Sequence, residues 1–398
     1  MSGPTTTHKL LEPIIQKFLN ADGDEGAIQL SLRIKQLIDE QSQLQPSQQA
    51  ISNLVTRFVS SGQDLLSFAD TKDVSKYKIS GLAVLDCVLE FNDDLVPQRR
   101  NDICNYLIKV LENEKLQLSV LKAAALSLGH FARIATTNEI EFLRDNHLPS
   151  AFKLLQDHHS VSHRYSGCII MTQLAINSPA LIFAERRELF KFIWGAMSDK
   201  NNLVREEAAE TLRAALKLVS QRENMSGYIK MALKFIMDTL NSSSSPSERV
   251  VGSLNILNII MGGIISNAEL LNAIRNERVQ YQDIIWKVLS LKDHSKEGEV
   301  RMKVIEIIPN LAAAFSGAFL QPNSYTNNMN FLTFCFKSLI TSATAGKNDR
   351  NLAYISLGRL FENMSNHLRN HRVDEIVQII YNGFKEPFCV VNTCILFL

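Results

Sequence analysis

The side chains best suited to chemistry lie in a short polar stretch that contains His158, His159 and His163. His159 and His163 are four residues apart, so their imidazoles would face one side of a helix that begins there, and imidazole is a common zinc ligand. Asp157 is the one carboxylate at a matching spacing, and no cysteine lies there. We interpret the stretch as a polar turn between helices, with a metal site as the alternative, and predict that no metal is bound.

Patterns of other catalytic sites are incomplete. The sequence TAGK at Thr344–Lys347 ends in Gly-Lys, but it lacks the upstream glycine and the following Ser or Thr of a phosphate loop. The GxGxxG, HRD and DFG motifs are missing, and the six cysteines form no CxxC pair. Ser242–Ser245, followed by Pro246, is either a flexible turn or a phosphorylated loop. We therefore predict that this chain is not itself an enzyme and binds no cofactor or small-molecule substrate.

The elements that carry these residues are predicted to be helices, because Gly (17) and Pro (10) are scarce among the 398 residues. In Val204–Val219, Arg205, Ala208 and Leu212 recur at offsets that place them on one face of a helix. This template recurs in eight places, each with a small or aliphatic anchor three residues after its first position. The first positions are Ala27, Lys78, Leu121, Arg164, Arg205, Arg249, Arg301 and Arg350, and the anchors are Leu30, Gly81, Ala124, Gly167, Ala208, Gly252, Val304 and Ala353.

The spacing of the anchors, between 41 and 52 residues, is typical of two-helix repeats. An amphipathic segment precedes most anchors, and small anchor residues would let neighbouring helices approach closely. We predict an all-α fold, an α-solenoid (superhelix) of HEAT/armadillo-like helix pairs, with several ordinary helical domains as the alternative. Residues 1–24 are expected to form a flexible leader. Residues 25–398 are expected to form about eight helix pairs that end in an incomplete repeat, as in a fragment of a longer protein.

The basic first positions are predicted to serve the array rather than a ligand. HEAT repeats often carry an aspartate six residues before the basic residue, and such pairs form a ladder across the turns. Asp199 and Arg205 have this spacing, whereas Asp73 and Asp157 are each one residue off. The polar signature of the repeat is therefore only partly present.

The net charge argues against nucleic acid as a partner. With 42 basic and 41 acidic side chains, the net charge is +1, so nucleic acid is not an expected partner.

The N-terminus has no signal-peptide pattern, and the longest apolar run is too short to span a bilayer. We therefore expect a soluble intracellular protein.

Three stretches resemble the N-terminal HEAT region of the target-of-rapamycin (TOR) kinase family. The most specific is Ser178–Glu223, a serial helix pair that ends in a Gln-Arg-Glu turn. Val300–Phe319 is similar to the family's Leu-Pro-x-Leu-Ala-Ala helix, and Ala353–Leu368 is similar to its Ala-x-x-x-Leu-Gly-x-Leu helix. One departure is the short segment NAELLNAIRNERVQY, where family members often carry a long insertion.

The resemblance implies that the parent is a large serine/threonine kinase of the phosphatidylinositol-3-kinase-related type, whose kinase region lies beyond this chain. It implies a scaffold in nutrient and growth signalling that binds a Raptor-type adaptor, a second TOR protomer and a Rheb-type GTPase. It also implies a cytoplasmic location, with association at the vacuole or lysosome and the nucleus through the complex. The alternative is an unrelated HEAT adaptor, such as a phosphatase scaffold or a transport receptor, although a transport receptor would be expected to be strongly acidic.

Overall fold

The structure is a computed structural model that describes residues 24–44, 47–67, 74–91, 98–222, 225–242, 244–265, 281–294, 298–344, 349–371 and 377. These residues are helical apart from their turns, and a single isolated bridge, between Pro322 and Asn330, is the only strand-type pairing in this described part. The predicted all-α fold is confirmed. Of the predicted leader, residues 1–24, only Asp24 is described, and it begins the first helix; of the predicted incomplete last repeat, only residue 377 is described.

The helices follow one another with short turns between them. In chain order they are α1 Asp24–Leu44, α2 Gln48–Ser67, α3 Val74–Leu89, α4 Arg99–Leu111, α5 Leu118–Ile134, α6 Thr137–Phe142, α7 Leu148–Leu155, α8 Val161–Asn177, α9 Pro179–Ala184, α10 Arg186–Met197, α11 Asn202–Ser220, α12 Ser226–Asn241, α13 Ser247–Ile265, α14 Tyr281–His294, α15 Gly298–Ala314, α16 Ser316–Leu320, α17 Phe331–Thr344, α18 Arg350–Asn363 and α19 Ser365–His371. A π-helical turn, Leu143–His147, joins α6 to α7, and a 3-10 turn, Ser324–Thr326, precedes α17.

Capping side chains fix the starts of three helices. The side chain of Asn201 accepts a hydrogen bond from the main-chain N–H of Leu203 and caps α11, and Ser160 caps α8 through the N–H of His163. At α6, Thr136 and Glu139 form a capping box. Each cap satisfies an N–H group that has no partner within the helix, so the helix begins at a defined residue.

The chain divides into two compact units. Unit 1 takes in the described residues of Met1–Ala196 and Glu206–Leu218, and unit 2 takes in those of Met197–Arg205 and Val219–Leu398. In unit 1, α1, α3, α5 and α8 pack successively against one another, while α2 packs on α3, α4 on α5 and α7 on α8. In unit 2, α13, α15 and α18 pack in the same successive way, while α12 packs on α13, α14 on α15 and α17 on α18. Each unit therefore has one layer of first helices and one layer of second helices.

One first helix is broken in a way that the sequence pattern did not predict. Where a single helix would precede α8, the chain forms α6, the π-helical turn and α7. Pro149 lies in the first turn of α7, and it has no N–H to donate to the carbonyl four residues earlier, at Asp145. Widening of residues 143–147 into a π-helical turn accommodates this missing bond.

Candidate scaffold and its polar clusters

The anchor residues lie on the second helices. Gly81, Ala124, Gly167, Ala208, Gly252, Val304 and Ala353 are all buried, on α3, α5, α8, α11, α13, α15 and α18. The eighth anchor, Leu30, lies on α1. The burial of the other seven anchors follows from the 3.6-residue period, which keeps positions three and four residues apart on one face.

Two of the glycine anchors lie where the main chain of another helix is close. A Cβ atom on Gly81 would lie 2.6 Å from the carbonyl oxygen of Gly62 in α2. A Cβ atom on Gly252 would lie only 2.2 Å from the carbonyl oxygen of Met197. Side-chain carbon atoms do not approach main-chain atoms so closely, so these positions require glycine for steric reasons.

Two of the basic first positions close the turn before their own helix. In α11, Arg205 Nη1 donates to the carbonyl oxygen of Asp199 at 2.8 Å, and in α8, Arg164 Nη1 donates to the carbonyl oxygen of Asp157, also at 2.8 Å. The two aspartates also share a second role, because each carboxylate accepts a main-chain N–H two residues later, at His159 or Asn201. The aspartate and the arginine are seven residues apart in the turn before α8 and six apart in the turn before α11, yet both turns have the same arginine-to-carbonyl hydrogen bond.

Arg205 and one further basic position, Arg301, also bind a carboxylate near the start of a later helix. In unit 2, Arg205 Nη2 donates to Glu299 Oε1 at the start of α15. Arg301 binds Asp349, just before α18, with two nitrogens: Nε donates to Oδ2, and Nη2 donates to Oδ1 at 3.1 Å. The Asp349 side chain is 4% exposed, and its hydrogen bond raises the pKa of the Arg301 guanidinium, so the guanidinium stays charged.

The remaining basic positions differ in their surroundings. Arg249 Nε donates to Thr239 Oγ1 at 3.3 Å, and its guanidinium lies over the ring of Phe235. Lys78 and Arg350 are half-buried. A ladder role for all six basic positions therefore stays a prediction.

Substitution of Asp349 with alanine is expected to lower the free energy of unfolding by about 2 kcal/mol, because hydrogen bonds to a charged partner contribute about that much when little exposed. Urea denaturation followed by circular dichroism measures this change. Asp238 is the matched control, since it is an exposed carboxylate on α12 of the same unit. Asp238→Ala should change stability by no more than about 0.5 kcal/mol, and equal losses in the two variants would contradict the role of the Arg301–Asp349 pair.

The histidine stretch forms a polar cluster with only one of its three histidines. His163 Nδ1 lies 2.7 Å from Asp157 Oδ2 and 3.4 Å from Glu114 Oε1, and Nε2 lies 2.9 Å from the carbonyl oxygen of Glu112. His158 and His159 are exposed. The sequence pattern identified His163 and Asp157 but not Glu114, which is 49 residues from His163 in the chain.

Electrostatics couple the members of this cluster. Partial burial disfavours the charged imidazole, but hydrogen bonds to Asp157 and Glu112 and the charge of Glu114 outweigh it, so the pKa of His163 is raised. The hydrogen bond from His163, together with the N–H groups of His159 and Ser160, lowers the pKa of Asp157 to about 2. The two carboxylates therefore favour a positive charge at Nδ1 of His163, which faces both of them.

Two carboxylates that join helices were missed in the sequence. In unit 1, Glu207 on α11 accepts hydrogen bonds from Lys122 Nζ on α5 at 3.2 Å and from Tyr165 Oη on α8 at 3.3 Å. Burial, together with the charge of Glu207, raises the pKa of Tyr165 to about 12. Glu139 pairs with Arg100 at 3.3 Å. The capping-box spacing from Thr136 to Glu139 was a visible signal, whereas nothing in the sequence marks Glu207.

The buried side chain of His147 predicts that the fold loses stability as the pH falls. His147 is 7% exposed, its ring lies edge-on against Phe142, and its Nε2 has no hydrogen-bond partner within the described residues. Burial lowers the pKa of His147 below its usual 6.5, so the unfolded chain binds this proton more readily. Its contribution to stability is present above about pH 6.5 and is lost as pH falls. His147→Leu should show a shallower loss of unfolding free energy between pH 7 and pH 5 than wild type; equal slopes would contradict this assignment.

Comparison with known proteins shows where this sequence has relatives. No protein-family model matches the chain. The serine/threonine-protein kinase tor1 of Schizosaccharomyces pombe is 24% identical over 290 residues, which is 72% of this chain. The serine/threonine-protein kinase TOR of Arabidopsis thaliana is 24% identical over 302 residues, or 74% of this chain. The chain is similar in sequence to TOR kinases. It covers 11% of the length of each of these two relatives, and the predicted resemblance to TOR kinases is confirmed.

Solved structures identify the fold of this TOR-like region. Kap121p matches with a TM-score of 0.52 and 12% identity, over 98% of this chain and 37% of that chain. A chain from the structure of Kap95p with RanGDP matches with a TM-score of 0.53 and 13% identity, over 96% of this chain and 50% of that chain. These karyopherins are HEAT-repeat solenoids, so the predicted α-solenoid of HEAT/armadillo-like pairs is confirmed. Among the described residues, the TOR-like region has no helix both long and apolar enough to cross a membrane.

Proposed function

We propose that this chain is the HEAT scaffold of a TOR-type serine/threonine protein kinase and provides binding surface for the proteins that assemble with that kinase. The observation that carries this proposal is the 290-residue similarity to a TOR kinase, which lies in a chain folded as helix pairs. Karyopherins support only the fold, because their identities with this chain are near 12%. The sequence similarity therefore favours the TOR scaffold over other HEAT proteins.

The partners in this proposal are a Raptor-type adaptor, a second TOR protomer and a Rheb-type GTPase. A stack of helix pairs suits such contacts, since each repeat presents its own surface and is held mainly by its neighbours. Ion pairs between turns, such as Arg301–Asp349, join successive repeats. The net charge of +1 favours contacts of mixed polar and apolar character with moderate salt sensitivity.

Catalysis is assigned to other parts of the parent protein. This chain lacks the HRD and DFG motifs that position ATP and its metal ions in protein kinases. The scaffold role also implies a cytoplasmic location, with recruitment to the vacuole or lysosome and the nucleus through the assembled complex.

A binding experiment with a fold-matched control tests the scaffold role. Purified chain is immobilised and exposed to a purified Raptor-type adaptor from the same organism, and binding is followed by biolayer interferometry. A Kap121p segment of equal length is the control, since it shares the fold at a TM-score of 0.52 but only 12% of the sequence. Saturable binding to the chain and none to the Kap121p segment is the expected result, and equal binding to both would reject the proposal.

Folded repeats are required for this binding. The Ala208→Glu substitution is predicted to destabilise the folded chain, so the variant should bind the adaptor less well at temperatures at which it has unfolded.

The contact with a second TOR protomer is tested separately. Light scattering of the chain alone gives its mass in solution and so shows whether two copies associate.

A transport receptor is the second candidate function, and the karyopherin fold favours it. Kap95p binds RanGDP. A Ran-type GTPase therefore forms another arm of the same experiment. Saturable binding of Ran without binding of the adaptor would replace the scaffold proposal with the transport receptor.

A further inference from the structure

Three ligand-type side chains converge where the α4–α5 turn meets the start of α8 in unit 1. One ligand atom from each of Glu114, Asp157 and His163 lies within 4.8 Å of the other two. His163 Nδ1 is the central atom, since it is 2.7 Å from Asp157 Oδ2 and 3.4 Å from Glu114 Oε1. One nitrogen and two carboxylate oxygens thus face a common point.

The main chain sets the orientation of the imidazole ring. Nε2 of His163 lies 2.9 Å from the carbonyl oxygen of Glu112. A carbonyl oxygen only accepts hydrogen bonds, so Nε2 carries a hydrogen. While Nδ1 is protonated it donates to Asp157 Oδ2, and once that proton is released its lone pair is available to a cation held between the two carboxylates. Metal-binding histidines are commonly held in this way, with the second ring nitrogen donating to a carbonyl group.

Asp157 is also held in position before any ligand arrives. Its Oδ1 accepts the main-chain N–H groups of His159 at 2.8 Å and Ser160 at 3.3 Å, which leaves Oδ2 towards His163. Glu114 is the adjustable member, with a side chain that is 55% exposed. Two of the three groups are therefore preorganised, and the third can rotate to complete a site.

We propose that Glu114, Asp157 and His163 bind a zinc ion through Nδ1 and one oxygen from each carboxylate, with water as the fourth ligand. Tetrahedral zinc has bonds of about 2.0–2.2 Å to nitrogen and oxygen, which places its ligand atoms roughly 3.4 Å apart. The Glu114–His163 distance of 3.4 Å fits this geometry, and Asp157 Oδ2 must withdraw by roughly 0.7 Å from its hydrogen-bonding position. Magnesium and calcium prefer oxygen-only sites, so the imidazole favours zinc.

The proposed ion joins two turns that belong to consecutive repeats. Glu114 lies in the turn after α4, whereas Asp157 lies in the turn after α7 and His163 lies in the first turn of α8. A bound ion would therefore fix the separation of these turns. This inference differs from the interpretation of the histidine stretch as a turn without metal, because the folded chain adds Glu114 to it.

Calorimetric titration with zinc chloride, after the full chain has been treated with a chelator, tests the site. We expect one zinc ion per chain in wild type and at least a ten-fold weaker affinity in His163→Gln. Glu114→Gln should weaken binding in the same direction, and since Glu114 is exposed, this variant should fold as wild type does. Circular dichroism without zinc compares the folding of all variants.

The control is His158→Gln, which removes an exposed histidine from the same turn. It should bind zinc as wild type does. Three results would overturn the proposal: no stoichiometric binding to wild type, unchanged affinity in His163→Gln and Glu114→Gln, or an equal loss in His158→Gln. Magnesium chloride in a parallel titration should give no comparable heat, and equal affinity for magnesium would contradict the role of the imidazole nitrogen.

Discussion

Substitution of Ala208 with glutamate is expected to lower the free energy of unfolding by about 4 kcal/mol. Ala208 is fully buried on α11, so the new side chain has no space there and its carboxylate would lose its water. The cost combines overpacking with the burial of a charge that has no partner. Urea denaturation followed by far-ultraviolet circular dichroism measures the change.

Glu206 provides the control two residues away. It is exposed on the same helix, so Glu206→Ala should change the free energy of unfolding by no more than about 0.5 kcal/mol. The two substitutions thus distinguish two faces of a single helix. Equal stability of both variants would mean that the buried face of α11 is wrongly assigned.

Replacement of Gly252 with alanine should destabilise the protein by about 3 kcal/mol, although it adds only one methyl group. The added carbon would lie 2.2 Å from the carbonyl oxygen of Met197, far inside van der Waals contact. Because the obstructing atom belongs to the main chain, it cannot rotate away as the end of a long side chain can. Relief therefore requires a shift of the helix itself.

The same substitution at Gly262 should have the opposite sign. Gly262 lies on the same helix, α13, and a Cβ atom there would meet nothing within 4 Å. Alanine loses less backbone entropy than glycine in a helix, so Gly262→Ala should stabilise the protein by about 0.5–1 kcal/mol. Thermal melts of the two variants should move in opposite directions, and a parallel shift would show that steric contact does not decide the effect at Gly252.

Local periodicity explains why so much of the fold was predictable. The offsets from Arg205 to Ala208 and Leu212 depend only on the pitch of a helix, so they identify a buried face without any knowledge of the neighbouring repeat. The break before α8 was not predictable in the same way. It depends on how Pro149 is accommodated within an otherwise helical segment, and a π-helical turn is one of several solutions.

Side-chain pairs between residues far apart in the chain could not be predicted from the sequence. Arg301 was recognised as a repeated basic position, but its partner Asp349 is 48 residues later. The joining of α5, α8 and α11 by Glu207 likewise depends on how helices from different repeats are aligned. A carboxylate pattern shows which residues can pair, whereas the packing of the helices decides which residues meet.

The two turns closed by Arg164 and Arg205 have a consequence for how this chain tolerates changes in length. One turn has a residue more than the other between its aspartate and its arginine, yet in both the arginine lies four residues after the capping side chain, Ser160 or Asn201. The cap therefore resets the helical phase, and an extra residue upstream does not rotate the helix that follows. A difference of one residue between these two turns is therefore taken up before the cap, and the helix that follows keeps the same orientation relative to its capping residue.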